Sequence, residues 1–163
     1  MTTPEIHMIR MSGMVLAVAL ALGLSAADVA AQAGNPRFGK WRLKSDAPVP
    51  SSNVMTYEPH GAAGMKVTIE SVNARGESST WWYTTDFDGR DMPVTGNASQ
   101  THASVRRLSD RVNEIINKRG DKVTQVLTNV LSPDGNTIGV MYMRDDGAGR
   151  TTAVTFATYE RVR

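Results

Sequence analysis

Apolar and polar residues alternate with a period of two along much of the chain. Met65, Val67 and Ile69 stand against Lys66, Thr68 and Glu70, the pattern of a strand with one buried face. Runs of this kind, rich in Val, Ile, Thr, Tyr and Trp, recur from Phe38 onward and are separated by turn signals about every ten to fifteen residues. They predict ten strands, at residues 38–43, 53–58, 65–72, 79–87, 91–96, 101–108, 111–118, 122–131, 137–144 and 151–162. Little room is left for helix.

The joints have a shared chemistry. "NARGE", "DFDGRD", "SPDGN" and "DDGAG" place Gly after Asp or near Asn; Gly accepts the positive φ of tight hairpin turns, and Asp bonds back to nearby backbone amides. Short connections between consecutive strands make an antiparallel meander, and a long meander closes on itself because closure removes exposed edges. The expected fold is therefore all-β, a single antiparallel meander β-barrel of about 8–10 strands, in preference to a sandwich. Pro93 marks its run as a short strand near an edge.

Two runs are apolar on both faces. Ile138, Val140 and Tyr142 oppose Gly139, Met141 and Met143, and Val123, Leu127 and Leu131 oppose Val126 and Val130. A filled barrel has no use for this, so one face lines a cavity or meets a partner; burial in a homodimer is the alternative.

Residues 1–33 differ from the rest. A short start with Arg10 leads into the apolar run "MVLAVALALGL" and then the small-residue stretch "SAADVAAQA". This is the layout of a secretory signal peptide, too short in its apolar core for a membrane span, with cleavage after Ala33 or Ala31. The expectation is a signal peptide at 1–33 and one barrel domain at 34–163, in a periplasmic or secreted protein.

Charge and composition then narrow the function. The chain carries 18 basic and 16 acidic residues, scattered without a basic stripe, which argues against nucleic-acid binding. It has no cysteine, so disulfides and Cys-ligated metal are excluded. The stretch "DFDGRDMPVTGN", residues 86–97, is rich in carboxylates, but Gly follows Asp88 at once and Asn97 stands where a calcium loop needs Glu; a hairpin turn at Asp88-Gly89 accounts for it. Outside the leader, His60 and His102 lie far apart in sequence, so no metal site and no cofactor is expected. No G-x-S-x-G elbow and no acid-base carboxylate pair is identifiable. A membrane-spanning barrel is disfavoured because most runs are short and carry Lys, Glu and Arg.

The run "FGKWRL", with Gly39 and Trp41, resembles the G-x-W opening of lipocalins and the first strand of fatty-acid-binding proteins, and "FATYERV" resembles the closing strand of the latter. Taken with "FDGRDMPVTG" and "SPDG", the chain most resembles small exported bacterial lipocalin-like (calycin-type) proteins. The resemblance implies that Trp41 packs across a closed barrel end under a late arginine, for which Arg144, Arg161 and Arg163 are candidates. It also has departures. The residues matching the carboxylate clamp of fatty-acid-binding proteins are Ala157 and Tyr159, so half of it is missing, and "KSDAPVPSS" leaves no room for their helical lid.

The expected function is thus an exported barrel that binds a lipid or other small hydrophobic molecule; an interior filled by side chains, with no void above about 300 Å³, would count against a carrier and for an interaction domain. Trp81, Tyr83, Met141, Tyr142, Phe156 and Tyr159 are the expected lining, with Arg106 or Arg107 for an anionic head group. Trp81 and Trp82 are adjacent in a strand and must face opposite ways. A structural or interaction β-domain of the envelope is the alternative, and a barrel enzyme a third possibility.

Overall fold

A computed structural model describes residues 34–163; the segment expected to be a signal peptide lies outside the described residues. Ten strands follow in chain order: β1 (Gly39–Leu43), β2 (Ser52–His60), β3 (Gly64–Val72), β4 (Ser78–Thr85), β5 (Asp88–Pro93), β6 (His102–Ser109), β7 (Val112–Arg119), β8 (Lys122–Leu131), β9 (Thr137–Asp145) and β10 (Thr151–Arg161). All pair antiparallel in one sheet of order β4-β3-β2-β1-β10-β9-β8-β7-β6-β5. The meander therefore wraps round so that β1 pairs with β10, with Trp41 opposite Arg161 and Leu43 opposite Tyr159.

At the two ends of this order, β4 is bridged to the segment just past β5. Trp82 N–H donates to the Thr95 carbonyl at 3.0 Å and Thr95 N–H returns to the Trp82 carbonyl at 2.9 Å. Closure at this point depends on Gly96, which has φ +85 and sits so close to β4 that a Cβ would lie 2.5 Å from the Thr80 carbonyl oxygen. The barrel is nearly closed, all-β and without helix among the described residues.

The turn chemistry follows the sequence pattern. Asp134 Oδ1 accepts from Asn136 N–H (3.1 Å), and Asp145 Oδ1 accepts from Gly147 N–H (2.7 Å) and Gly149 N–H (3.2 Å). One joint differs from expectation: the chain reverses before Asp88-Gly89, at Phe87, which has φ 61 and donates its N–H to Thr85 Oγ1 at 2.9 Å. Asp88, Gly89 and Arg90 then belong to the start of β5, where one extra residue is absorbed between the Asp88–Arg106 and Asp91–Ser104 pairs. That is a β-bulge, which the carboxylate-rich stretch supplies with a glycine at φ 80.

One end of the barrel is closed by side chains. Trp41 is fully buried (0% exposed) and donates Nε1–H to the Arg37 carbonyl at 2.8 Å. Arg161 lies over its ring, 4.1 Å from the centroid; its Nε and Nη1 donate to the carbonyls of Gly135 (2.9 Å) and Phe38 (2.8 Å), and its Nη2 to that of Pro36. Of the three arginines with this potential role, Arg161 is the one the strand register delivers. Beside it Arg37, only 3% exposed, donates to Asn129 Oδ1 and to the Arg111 carbonyl (2.7 Å). Leu131 and Ile138, also fully buried, complete this end of the core.

Candidate functional site

Above the closed end the inward faces of the strands enclose a cavity of about 210 Å³. The period of two decides its lining. On β2 the inward positions are Asn53, Met55 and Tyr57; on β4, Trp81 and Tyr83; on β7, Ile115 and Asn117; on β8, Gln125, Leu127 and Asn129; on β9, Val140 and Tyr142. Val67 and Ile69 of β3, Tyr159 of β10 and Gln100 from the β5–β6 connection complete it. The cavity falls short of the roughly 300 Å³ by which a carrier is judged, because large aromatic side chains line the interior, and it leaves room for a small guest only.

All four tyrosines of the chain face this space. Trp81 and Tyr83, two residues apart on one face of β4, stack with centroids 6.1 Å apart and planes at 22°. The hydroxyls of Tyr142 and Tyr159 are hydrogen-bonded at 3.2 Å. Asn129 Nδ2–H donates to the Tyr57 hydroxyl at 3.2 Å, so a polar chain runs from Arg37 at the closed end to the cavity wall. Burial pushes the Tyr57 hydroxyl up to about 12, partly opposed by the positive charge of Arg37. Tyr83 and Tyr159 are raised further, chiefly by burial, and Tyr142 is raised for the same reason. Desolvation also lowers the Arg37 guanidinium.

Among the described residues no Asp, Glu, Lys, Arg or His lines the cavity. Its polar contributors are amides and tyrosine hydroxyls. Asn53 Nδ2–H donates to Ser71 Oγ at 2.7 Å and Asn117 Nδ2–H to Gln125 Oε1 at 3.2 Å, yet the buried Oδ1 atoms of both asparagines accept nothing. A larger hollow of about 380 Å³, more polar than the barrel interior, lies among Asn35, Arg37, Phe38, Ala63, Arg107 and Asp110.

The structure brings together Trp81, Tyr83, Tyr142 and Tyr159 from the expected set. It separates the other three. Met141 and Phe156 sit opposite one another on β9 and β10 with their side chains on the outer face, Phe156 being 77% exposed; the one-residue offset from Tyr142 and Ala157 sends them outward. Arg106 also points out, paired with Glu114 at 2.9 Å, and is no partner for a head group in the cavity. Its neighbour Arg107 stacks over Phe87 at 4.4 Å. Trp81 and Trp82 divide as adjacent strand residues must: Trp82 lies outside, with Lys66 Nζ 5.0 Å from its ring.

The amide residues of the lining were not among those expected from the sequence. A signal was available, because Asn is a poor strand former and yet Asn113, Asn117 and Asn129 each stand at an inward position of a run rich in Val, Ile and Leu. Two of the three carboxylates of 86–97 are held by cations: Asp88 by Arg90 at 3.1 Å and Asp91 by Lys118 at 2.7 Å. Among the described residues no three His, Asp or Glu side chains converge, and His102 Nδ1 lies 3.0 Å from Thr101 Oγ1. No helix among the described residues is long and apolar enough to cross a membrane.

The fold is a ten-stranded antiparallel meander barrel, closed at one end by a Trp–Arg stack and hollow above it. Solved structures of the fluorescent protein UnaG share it. The wild-type protein superposes with a TM-score of 0.52 at 12% identity over 77% of this chain and 96% of its own; a point mutant reaches 0.54 at 12% identity over 78% and 97%. No family model and no curated protein matches the sequence.

Proposed function

We propose that the protein is an exported carrier that encloses a small hydrophobic molecule inside its barrel. The observation that carries this is the interior itself: a hollow walled by stacked aromatic and aliphatic side chains, sealed at one end by Trp41, Arg161 and Arg37. Burying apolar surface there favours binding by about 25 cal/mol per Å², and few polar groups are needed to orient the guest. The layout of residues 1–33 supports a site of action in the periplasm or outside the cell, as in the small bacterial lipocalin-like proteins the chain resembles.

Two measurements test this. Native mass spectrometry of the protein from its own cell envelope should show a bound small molecule; recovery without one, together with no uptake of an apolar fluorescent probe, would remove the carrier function. Cell fractionation with N-terminal sequencing should find an exported chain beginning at Gln32 or Gly34. A full-length cytoplasmic chain would contradict the assigned location.

The second reading, an interaction domain, is favoured by one observation. Val130, Val154 and Phe156 form part of an exposed apolar area on the outer faces of β8 and β10, of the kind that pairs with a second copy. Light scattering should then report a dimer that Phe156→Ser converts to monomer.

A further inference from the structure

Resting on the carrier function proposed above, we infer that the cavity selects a compact, uncharged aromatic molecule bearing two hydrogen-bond donors, which it holds through the free oxygens of Asn53 and Asn117. Three independent observations converge on this class.

The first is charge. With no Asp, Glu, Lys, Arg or His among the described lining residues, a carboxylate or ammonium brought inside would be desolvated without an opposite charge. The nearest buried cation, Arg37, is separated from the cavity by Asn129, whose Oδ1 accepts its Nη1 donor and whose Nδ2 is committed to Tyr57. The site is therefore built against the fatty-acid head group that the family resemblance would suggest.

The second is unmet hydrogen bonding. Buried polar atoms are nearly always paired, and among the described residues the buried side-chain oxygens without a partner are Asn53 Oδ1 and Asn117 Oδ1. Both belong to residues lining this cavity, and Asn117 is only 4% exposed. Their amide nitrogens are already committed to Ser71 and Gln125, which orients the oxygens as acceptors. The strand order places both toward the end remote from Arg37: Asn53 precedes Tyr57 on β2, and Asn117 lies opposite Gln125, ahead of Asn129 on β8. A guest that donates twice satisfies both; one that only accepts leaves them unmet.

The third is size and shape. About 210 Å³ is below the roughly 300–1,000 Å³ of pockets for drug-sized ligands, so a one- or two-ring molecule fits where an extended lipid does not. The stacked Trp81 and Tyr83 rings supply aromatic surface in the wall against which an aromatic guest can pack. Diphenols and N–H heteroaromatics combine these properties.

The test is isothermal titration calorimetry of the full chain with three probes: 2,7-dihydroxynaphthalene, its dimethoxy ether and laurate. The diol should bind at least about tenfold more tightly than the ether, since each unmet acceptor is about one hydrogen bond. Asn53→Leu and Asn117→Leu should each lower affinity for the diol about tenfold and so narrow its advantage over the ether. If the ether or laurate binds as well as the diol to the unmodified protein, the assigned ligand class is wrong while the carrier function stands. If none of the three binds, both fall. The comparison of probes on one unmodified protein holds even if a variant fails to fold.

Discussion

Arg161 and Trp41 face one another across the β1–β10 pair, the guanidinium 4.1 Å above the indole. The contact joins the first strand to the last. It also gathers the carbonyls of Pro36, Phe38 and Gly135 onto one cation, so it closes the barrel circumferentially and at its end at once.

Loss of this stack should therefore cost more than a surface substitution. Arg161→Met removes charge-assisted bonds to three carbonyls and a cation–π contact, and should destabilise by about 2–4 kcal/mol. Arg161→Lys should recover only a small part, because an ammonium cannot stack flat and reach three diverging acceptors. Urea denaturation midpoints at constant m-value decide it.

The four cavity tyrosines make stability depend on alkaline pH. Their folded values are raised, Tyr57 to about 12, whereas an unfolded tyrosine ionises near pH 10. Above pH 10 the unfolded chain has lost protons that the folded chain retains, so stability is fully present below about 10 and is lost as pH rises through about 12. The tyrosinate absorbance at 295 nm should stay near zero at pH 10.5 and then appear together with unfolding. Half-ionised tyrosine in a folded protein at that pH would contradict the buried placement.

Gly96→Ala should open the seam between β4 and β5. The residue needs a positive φ and has the Thr80 carbonyl 2.5 Å from the position of a Cβ, a site where alanine is strained by about 1 kcal/mol before any clash. Amide hydrogen exchange of Trp82 and Thr95, whose N–H groups form the bridge, should accelerate by at least about tenfold while the β2–β3 ladder is unchanged.

Neighbouring strands offer a test of which face is inside. Phe156→Ser on the outer face should change stability by no more than about 0.5 kcal/mol. Ile138→Ala, at a fully buried position, should cost about 2–5 kcal/mol. Similar losses for the two would mean that Phe156 is covered.

Ten strands and their turns were legible from the alternation of residues and the Asp/Gly joints; β8 was bounded at Lys122 and Leu131 from sequence. The joint at 86–97 was less so. Gly89 is the visible turn former, but the reversal is made by Phe87, whose unfavourable φ is held by the Thr85 hydroxyl and by its contact with Arg107. Local propensity cannot report such support, because Arg107 arrives from another strand.

The cavity was legible only in part. Tyr142 and Met141, or Ala157 and Phe156, alternate in strands whose two faces are both apolar, so periodicity alone does not say which member of each pair points inward. That choice is made when β10 pairs with β1 and the sheet closes. By itself the sequence determined the strands, the turns and the meander, because these depend on neighbours a few residues apart. Only the tertiary structure decided that Arg161 covers Trp41, that Met141, Phe156 and Arg106 face outward, and that two asparagine oxygens face a small uncharged hollow. Each of these depends on groups brought together from opposite parts of the chain by closure of the barrel.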